Sequence, residues 1–430
     1  MIGVVFDPVI RGPFFACALM GSLCALIGTL LFYQRLSLKG EALSHACYPG
    51  MVLGSVLAVV FDGGTSIWLF VCALLSSFLG AFCIDRLLKK ARLSSDVALA
   101  AVLAASFSFS LLMVSAVQIS HPTLWRSLKV FLVGQAATMG DYHIAVAFFL
   151  LLSALLFMSF FRRAMLVELF DRDFAALQGS RVLSSSMIML LLVASIIVGV
   201  RFMGVILISA MFLIPPIIAK MLVNRFFVAW GLSALIGAFC GGSGVLISHF
   251  WSVSIPTGPL VCLLLTLSFA AVLLFSTRQG VVVKWVRRRR FTRRCQEENA
   301  LKQLWKECDR TQENTVELAR IEKILDLPEC GTLVRRLDRK GFLRRSSHKS
   351  VEISPKGLSK GKTLVRLHRL WELYLVRCCH MSEDRVHPSA EQMEHILTAE
   401  VELELIELLG NPSLDPHNQP IPDREVSLGS

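Results

Sequence analysis

His368 and Glu372 stand four residues apart in a stretch that reads as a helix from about Lys360 to Cys379, so their side chains share one face. Further on, His387, Glu391, Glu394 and His395 follow the pattern H-x-x-x-E-x-x-E-H. Pro388 suits the first turn of a helix, which puts His387 at its cap and spreads the four groups over three turns of one face. A lone histidine on such a helix is usually structural or solvated. Imidazoles and carboxylates repeated at turn spacing on two neighbouring helices describe a metal site instead.

A second pair of the same chemistry lies near the start of the chain. Glu41 and His45, in LSLKGEALSHACYPGMVLG, share a face at the beginning of an apolar run. Insertion scales put an acidic residue at the centre of a span at about 3 kcal/mol, so a pair near the headgroups can simply hydrate, whereas a buried pair must serve something. We read it as a divalent-cation site on a transport path. Carboxylate plus imidazole suits manganese, iron(II) or zinc better than copper(I). Between two apolar runs, VELFDRDFAALQG (Val167 to Gly179) is too polar to cross a bilayer. It is either a plain loop or an amphipathic docking piece for a cytoplasmic partner, with Glu168, Asp171, Asp173 and a closing Gly179.

The elements that must position these groups fall into two solvents. With 54% hydrophobic and 18% charged residues among 430, the chain is too apolar for one soluble protein. Nine apolar stretches approach spanning length, at about residues 14–33, 44–61, 66–88, 97–118, 143–161, 183–201, 205–223, 228–250 and 259–276, with the split near Arg201 leaving eight or nine spans. Pro215 and Pro216 are expected to kink or interrupt their helix. Residues 129–140 are too short and too rich in Gly and Ala to span, and read as interfacial or re-entrant. KWVRRRRFTRR, Lys284 to Arg294, closes the apolar half with six arginines and a lysine, a positive-inside signal that sets this junction on the cytoplasmic face and the N-terminus outside. It also anchors to anionic lipid and supplies much of the net charge of +12, which therefore does not argue for nucleic acid by itself. The twelve cysteines contain no CxxC and are expected as reduced thiols.

Beyond the junction the helices shorten. Glu297 to Asp309 reads as a polar helix, Thr315 to Leu327 as an amphipathic one stopped by Pro328, and Glu329 to about Lys340 as a second. Gly341 and the strand-like FLRRSS and SVEIS then spell a helix-turn-helix with a wing, generic two-helix packing being the alternative. Arg335, Arg336, Arg339 and Lys340 end the second helix and Arg344, Arg345 and Lys349 sit on the wing, placed for phosphates, with Thr332 towards base edges. The fold class is mainly α. A polytopic membrane domain (1–280) is followed by a basic juxtamembrane linker (281–295), a winged helix-turn-helix domain (296–358), a helical metal-binding and dimerisation domain (359–422) and a tail (423–430). The polar stretch after Arg294 is a candidate exposed cutting site whose use would free the soluble half.

GEALSHACYPG, the acidic loop ending at Gly179, the IPP span and the SIPTG turn, in that order and spacing, resemble the permeases of metal-ion ABC importers that handle zinc, manganese and iron, over about residues 12–280. The resemblance implies Glu41 and His45 as ligands in the channel, although the family often carries Asp at the first position. It implies docking of the 168–179 loop on a cytoplasmic ABC ATPase, a second permease subunit of the same or a homologous kind, and an extracytoplasmic metal-binding protein. The ATPase belongs to another chain. GLSKGKT, Gly357 to Thr363, is one residue short of a phosphate loop and lacks its strand-helix context, so it reads as the start of a helix and the protein as a transporter subunit without enzymatic chemistry of its own.

From Val316 through the wing, LHRLWELYL, VHPSAEQMEHIL and GNPSLDPHNQPIP resemble the iron- and manganese-dependent repressors of the diphtheria-toxin-repressor type, over about residues 296–422. This resemblance implies one metal site from Glu391, Glu394 and His395 and another from His368, Glu372 and His387, with metal as co-repressor and a homodimer on operator DNA. The family's ligand in the first helix would fall near Glu298 or Asn299, and its SH3-like domain has no counterpart here. Glu391 stands where iron-type members tend to carry Cys, which tilts the site towards manganese or iron over zinc. Together the two resemblances describe a chlamydial-type fusion of a metal permease with its own metal-responsive repressor, in a bacterial cytoplasmic membrane with the C-terminal half in the cytoplasm. The alternative is a membrane-anchored metal-sensing regulator without transport, which would have no reason to keep the 167–179 loop. An ATP-independent carrier is disfavoured, since no paired midspan acids recur in two halves.

Overall fold

The computed structural model describes the chain except for residues 1–6, 62–64, 121–127, 129–133, 135, 172–173, 175–176, 178–179, 251–255, 279, 318–319, 322–329, 346–349 and 425–430. It divides into two compact units, Met1–Lys284 and Trp285–Ser430.

Each of the nine apolar stretches forms a helix in the first unit: α1 (Pro8–Tyr33), α2 (Lys39–Val60), α3 (Thr65–Lys89), α4 (Ser95–Ser120), α5 (Asp141–Phe160), then, after a short α6 (Arg162–Phe170), α7 (Ser180–Met203), α8 (Val205–Leu222), α9 (Phe226–Phe250) and α10 (Thr257–Phe275). Eight of them are long and apolar enough to cross a membrane, and α7 contributes a shorter apolar helix at Met187–Met203. The ambiguous split near Arg201 is resolved by Gly204. Its φ of +84° interrupts the chain between α7 and α8 in a conformation that side chains rarely adopt.

α1 is the hub of this unit, starting on Asp7, whose carboxylate accepts from Val9 N at 3.0 Å, and on Pro8 at its first position. It packs against α9 at backbone distance, because Gly21 and Gly237 face each other and a Cβ on either would stand 2.4 Å from the other's carbonyl oxygen. Thr29 and Ser233 join the same two helices through hydroxyls 2.7 Å apart. Pro215 and Pro216 do not interrupt α8, which runs on to Leu222. Proline at 216 leaves the carbonyl of Phe212 without its helical donor, and that carbonyl lies against Gly28 of α1, where a Cβ would be 2.0 Å away. Tertiary packing thus accommodates what the isolated helix would not. Outward residues such as Ile67, Leu79, Phe82, Leu112, Phe149 and Phe239 are exposed, as a lipid-facing surface requires. Within 129–140, the described part is Gly134 at a φ of +84°, a single 3-10 turn at Ala136–Thr138, a buried Met139 and Gly140 at the cap of α5; residues 129–133 and 135 lie outside the described residues.

The second unit begins within α11 (Val281–Thr311), so the stretch after Arg294, expected as an exposed cutting site, is helical with Glu297 and Glu298 buried, and cleavage there requires the helix to open. β1 (Thr315–Glu317), β2 (Leu343–Arg345) and β3 (Ser350–Ile353) form an antiparallel sheet in the order β1-β3-β2, with Val316 opposite Val351 and Leu343 opposite Ile353. A helix was expected from Thr315. β-branched Thr315 and Val316 instead complete the wing sheet on β3, where Val316 and Val351 are buried together, and helix is described only at Arg320 and Ile321. α12 (Cys330–Arg339) closes this core with Leu333, Val334 and Leu337 against Leu301, Leu304 and Cys308 of α11.

α13 (Pro355–Arg377) is capped by Ser354, whose hydroxyl accepts from Gly357 N at 3.1 Å. The GLSKGKT stretch lies inside its first turns. Its glycines serve packing: a Cβ on Gly357 would strike the Phe342 carbonyl and one on Gly361 the Trp305 side chain. α14 (Glu383–Met393) starts earlier than expected, with Ser382 at its cap, so His387 sits inside the helix and Pro388 follows in its second turn. The proline is tolerated because the carbonyl left without a donor, that of Asp384, belongs to the exposed first turn. α15 (Ala399–Leu408) follows, and the closing segment is strapped to α13 by Arg366, which donates to Glu402 Oε1 at 2.8 Å and to the Pro422 carbonyl, and by Arg369 on the Pro420 carbonyl and Asp415.

Candidate functional site

α13 carries His368 and Glu372 one turn apart, and α14 brings His387 over them. His368 Nε2 lies 3.1 Å from His387 Nδ1 and 3.2 Å from Glu372 Oε1, and His387 Nδ1 lies 2.9 Å from Glu372 Oε1. Donors bound to one ion at about 2.1 Å stand roughly 3 Å apart when adjacent, so this triangle fits a single divalent cation. Among the described residues it is the group of three ligating side chains close enough to share one. His368 and Glu372 are buried, whereas His387 is exposed and leaves an entry side.

The far side of the His368 ring is held by a carboxylate. Its Nδ1 is 2.6 Å from Glu394 Oε2, and the tautomer with its proton on Nδ1 turns Nε2 towards the triangle. Burial pulls the His368 pKa down, but hydrogen bonds with Glu372 and Glu394 more than offset this and leave it raised. Burial likewise would raise Glu372, yet the two histidines hold it at about 2. Glu394 in turn meets Lys302 of α11, whose Nζ is 2.9 and 2.7 Å from its two oxygens and 3.1 Å from His368 Nδ1, with both side chains of this ion pair almost fully buried.

The expected set of Glu391, Glu394 and His395 on one helical face is not gathered. Glu394, the C-cap of α14, and His395 carry their side chains into the interior, while Glu391 stays on the surface, 53% exposed, 3.5 Å from His387 Nε2. His395 Nδ1 pairs with Glu298 Oε2 at 2.8 Å, and its buried Nε2 has no hydrogen-bond partner among the described residues, lying 3.9 Å from Glu394 Oε1. Glu298 also meets Arg294 at 3.0 Å and Lys360 at 3.2 Å. Burial raises its pKa, but the His395 hydrogen bond and these two cations bring it down to about 2. Of the two first-helix positions considered, Glu298 is therefore the one that reaches the cluster. Lys302 and Lys360 were not anticipated. A lysine one turn from Glu298 on the same helix was the available signal, but it reads as a solvated charge until α13 and α14 are packed against it.

The residues expected to meet DNA divide. Thr332, Arg335, Arg339 and Arg344 are exposed on α12 and β2. Arg336 is half-buried with Nε 3.4 Å from the Thr332 carbonyl, and Lys340 is engaged 2.5 Å from Glu297. The side chain of Arg345 and residue Lys349 lie outside the described set.

In the first unit, Glu41 and His45 are half-buried near the start of α2, with the His45 ring edge-on to Phe107 at 5.2 Å. His45 Nδ1 is buried without a hydrogen-bond partner among the described residues, a lone pair or N–H left for a ligand. Glu168 is buried at the end of α6, and Asp171 leaves the helix and accepts from Phe174 N at 2.9 Å. Phe174 and Leu177, three residues apart, are 47% and 86% exposed. Asp173 and Gly179 lie outside the described residues.

Residues 7–276 match the family model described as ABC 3 transport family, and residues 354–423 match the iron dependent repressor metal binding and dimerisation domain. A probable metal transport system membrane protein of Chlamydia trachomatis is 34% identical over 99% of this chain and 98% of its own. A manganese transport system membrane protein of Bacillus subtilis is 28% identical over 83% of this chain and 82% of its own. PsaBC from Streptococcus pneumoniae, solved in complex with a Fab, superposes with a TM-score of 0.54 at 21% identity, over 65% of this chain and 98% of its own, which speaks to the fold. The chain is thus a multi-span membrane protein that belongs to the ABC 3 transport family of metal permeases and carries a repressor-type metal-binding and dimerisation domain in its C-terminal part.

Proposed function

We propose that this chain is the membrane subunit of an ATP-driven importer of divalent metal in a bacterial cytoplasmic membrane, and that its C-terminal half is a cytoplasmic, metal-dependent DNA-binding repressor. The observation that carries this reading is the coexistence, in one chain, of a metal-permease family match over 7–276 and of the His368, Glu372 and His387 triangle inside a repressor-type domain. The logic is feedback, in which one half admits the cation that the other half counts. The nitrogen and carboxylate donors favour manganese or iron(II), with zinc possible. The partners are a cytoplasmic ABC ATPase docking on the 168–179 segment, a second permease subunit, an extracytoplasmic metal-binding protein and operator DNA bound by a homodimer of the repressor half. The basic run at Lys284 to Arg294 supports the cytoplasmic side for that half.

The transport half is tested on the channel pair. Glu41→Ala and His45→Ala, at matched membrane levels, are expected to lower cell-associated manganese accumulation at least about tenfold, because a ligand removed from a site on the path is not replaced by water within the span. Uptake unchanged in both variants would remove these residues from the path.

The DNA half is tested on the exposed arginines. Replacing Arg335 and Arg339 by Ala should weaken binding to all sequences alike and reduce the slope of log affinity against log salt by about 0.9 for each phosphate that is no longer neutralised. A weakening confined to one base position, at unchanged slope, would instead make them base readers.

A further inference from the structure

The geometry points to Lys302 as a resident cation that takes the place of a second metal ion, so that each chain's regulatory cluster holds one divalent ion, at His368, Glu372 and His387. This inference rests on the metal-sensing reading above and adds the stoichiometry and the residue that sets it.

Six ligating groups at turn spacing suggest two ions, but the structure assigns the groups unequally. The triangle of His368 Nε2, Glu372 Oε1 and His387 Nδ1 contains no lysine or arginine. Glu391 stays on the surface, 3.5 Å from His387 Nε2, and the two buried carboxylates beyond the triangle, Glu394 and Glu298 of the first helix, are already neutralised by the chain itself. Both oxygens of Glu394 contact Lys302 Nζ, at 2.9 and 2.7 Å, and Glu298 contacts Arg294 and Lys360. Two carboxylates therefore face three fixed positive charges, and a divalent ion entering between Glu394 and His395 would meet an ammonium within ion-pair range of the same oxygens. Burial sharpens the repulsion, since the Lys302 and Glu394 side chains are 4% and 0% exposed and water cannot screen them. Lys302 is also a positioning residue for the ion that does bind. It pins Glu394 behind His368 Nδ1, and Glu394 fixes the ring so that Nε2 completes the triangle, the outer-shell carboxylate arrangement common to ligating histidines.

The test uses the full-length chain in lipid nanodiscs, every version, including the one wild type at the regulatory cluster, carrying Glu41→Ala and His45→Ala so that the channel pair takes no ion, with manganese(II) alone as probe, read by binding stoichiometry and by electron paramagnetic resonance. Wild type should take up one manganese that is lost in His368→Ala, with the signal of an isolated ion. Lys302→Glu should take one further ion and show a spin-coupled pair, because two ions sharing such a cluster stand about 4 Å apart. Lys302→Met, which removes the charge without adding a ligand, covers the case in which the glutamate does not fold, and should gain the same ion with weaker affinity. Lys302→Arg should remain at one. A coupled pair in wild type, or no added ion in any folded variant lacking the charge, overturns the inference. Wild-type uptake that is indifferent to His368→Ala would overturn the metal-sensing reading itself, and the two failures are distinct.

Discussion

His368→Ala combined with His387→Ala is expected to abolish metal-dependent operator binding while leaving manganese uptake by the same chain at its wild-type level. The two imidazoles supply two of the three donors in the triangle, and even an outer-shell partner is commonly worth ten- to a hundredfold in metal affinity, so losing both should weaken binding on the order of a thousandfold. Glu372 would then be the one triangle donor left, too few to hold an ion. Helix content should survive, since α13 is fixed independently by the Ser354 cap and by Arg366 on Glu402 and the Pro422 carbonyl. The measurement is operator retention at fixed manganese, paired with cellular accumulation of the metal. Loss of both would mean that the halves are not separable, and retention of both would remove the triangle from regulation.

How much of this was legible beforehand depends on whether the information is local. Spans are legible because lipid demands an unbroken run of apolar residues, and each of the nine stretches became a helix within six residues of its expected bounds, the first two starting earliest, at Pro8 and Lys39. His368 and Glu372 were legible for the same reason, since four residues on one helix is a distance the sequence itself specifies. Lys302 was not, because its partners His368 and Glu394 are 66 and 92 residues away and only tertiary packing brings them to the ammonium. Glu391 misled in the opposite sense. Its spacing to Glu394 suggests a shared site, whereas Glu391 is 53% exposed beside His387 and Glu394 is fully buried on Lys302, a division that packing against α11 sets. Thr315 to Glu317 shows the third kind of limit, a segment whose period allows a helix but whose β-branched residues find a strand partner in β3. The prolines of α8 are a fourth, where the carbonyl that Pro216 leaves free is accommodated by a glycine on another helix.

The second large effect concerns the segment after α6. Phe174→Glu combined with Leu177→Glu is expected to reduce metal uptake to background and to prevent co-purification of an ATPase with the chain. Both side chains are exposed, at 47% and 86%, in a segment whose first turn is organised by Asp171 accepting from Phe174 N. An amphipathic piece with an apolar pair three residues apart, beside a polar cap, is the form that seats in a partner's groove, and such anchors commonly cost about 2 kcal/mol or more each when removed. Two anchors replaced by charge would weaken docking about a thousandfold or more, enough to uncouple ATP hydrolysis from the permease. The rest of the first unit should fold normally, because these side chains contribute little to a core centred on α1 and α8. A plain surface loop would tolerate both substitutions, since charge on an exposed turn costs little. The same variant should still bind operator in response to manganese, because the triangle of α13 and α14 is untouched. Wild-type uptake by the double variant would therefore exclude this segment as the ATPase contact, and uptake abolished with the ATPase still bound would place its role in the transport path instead.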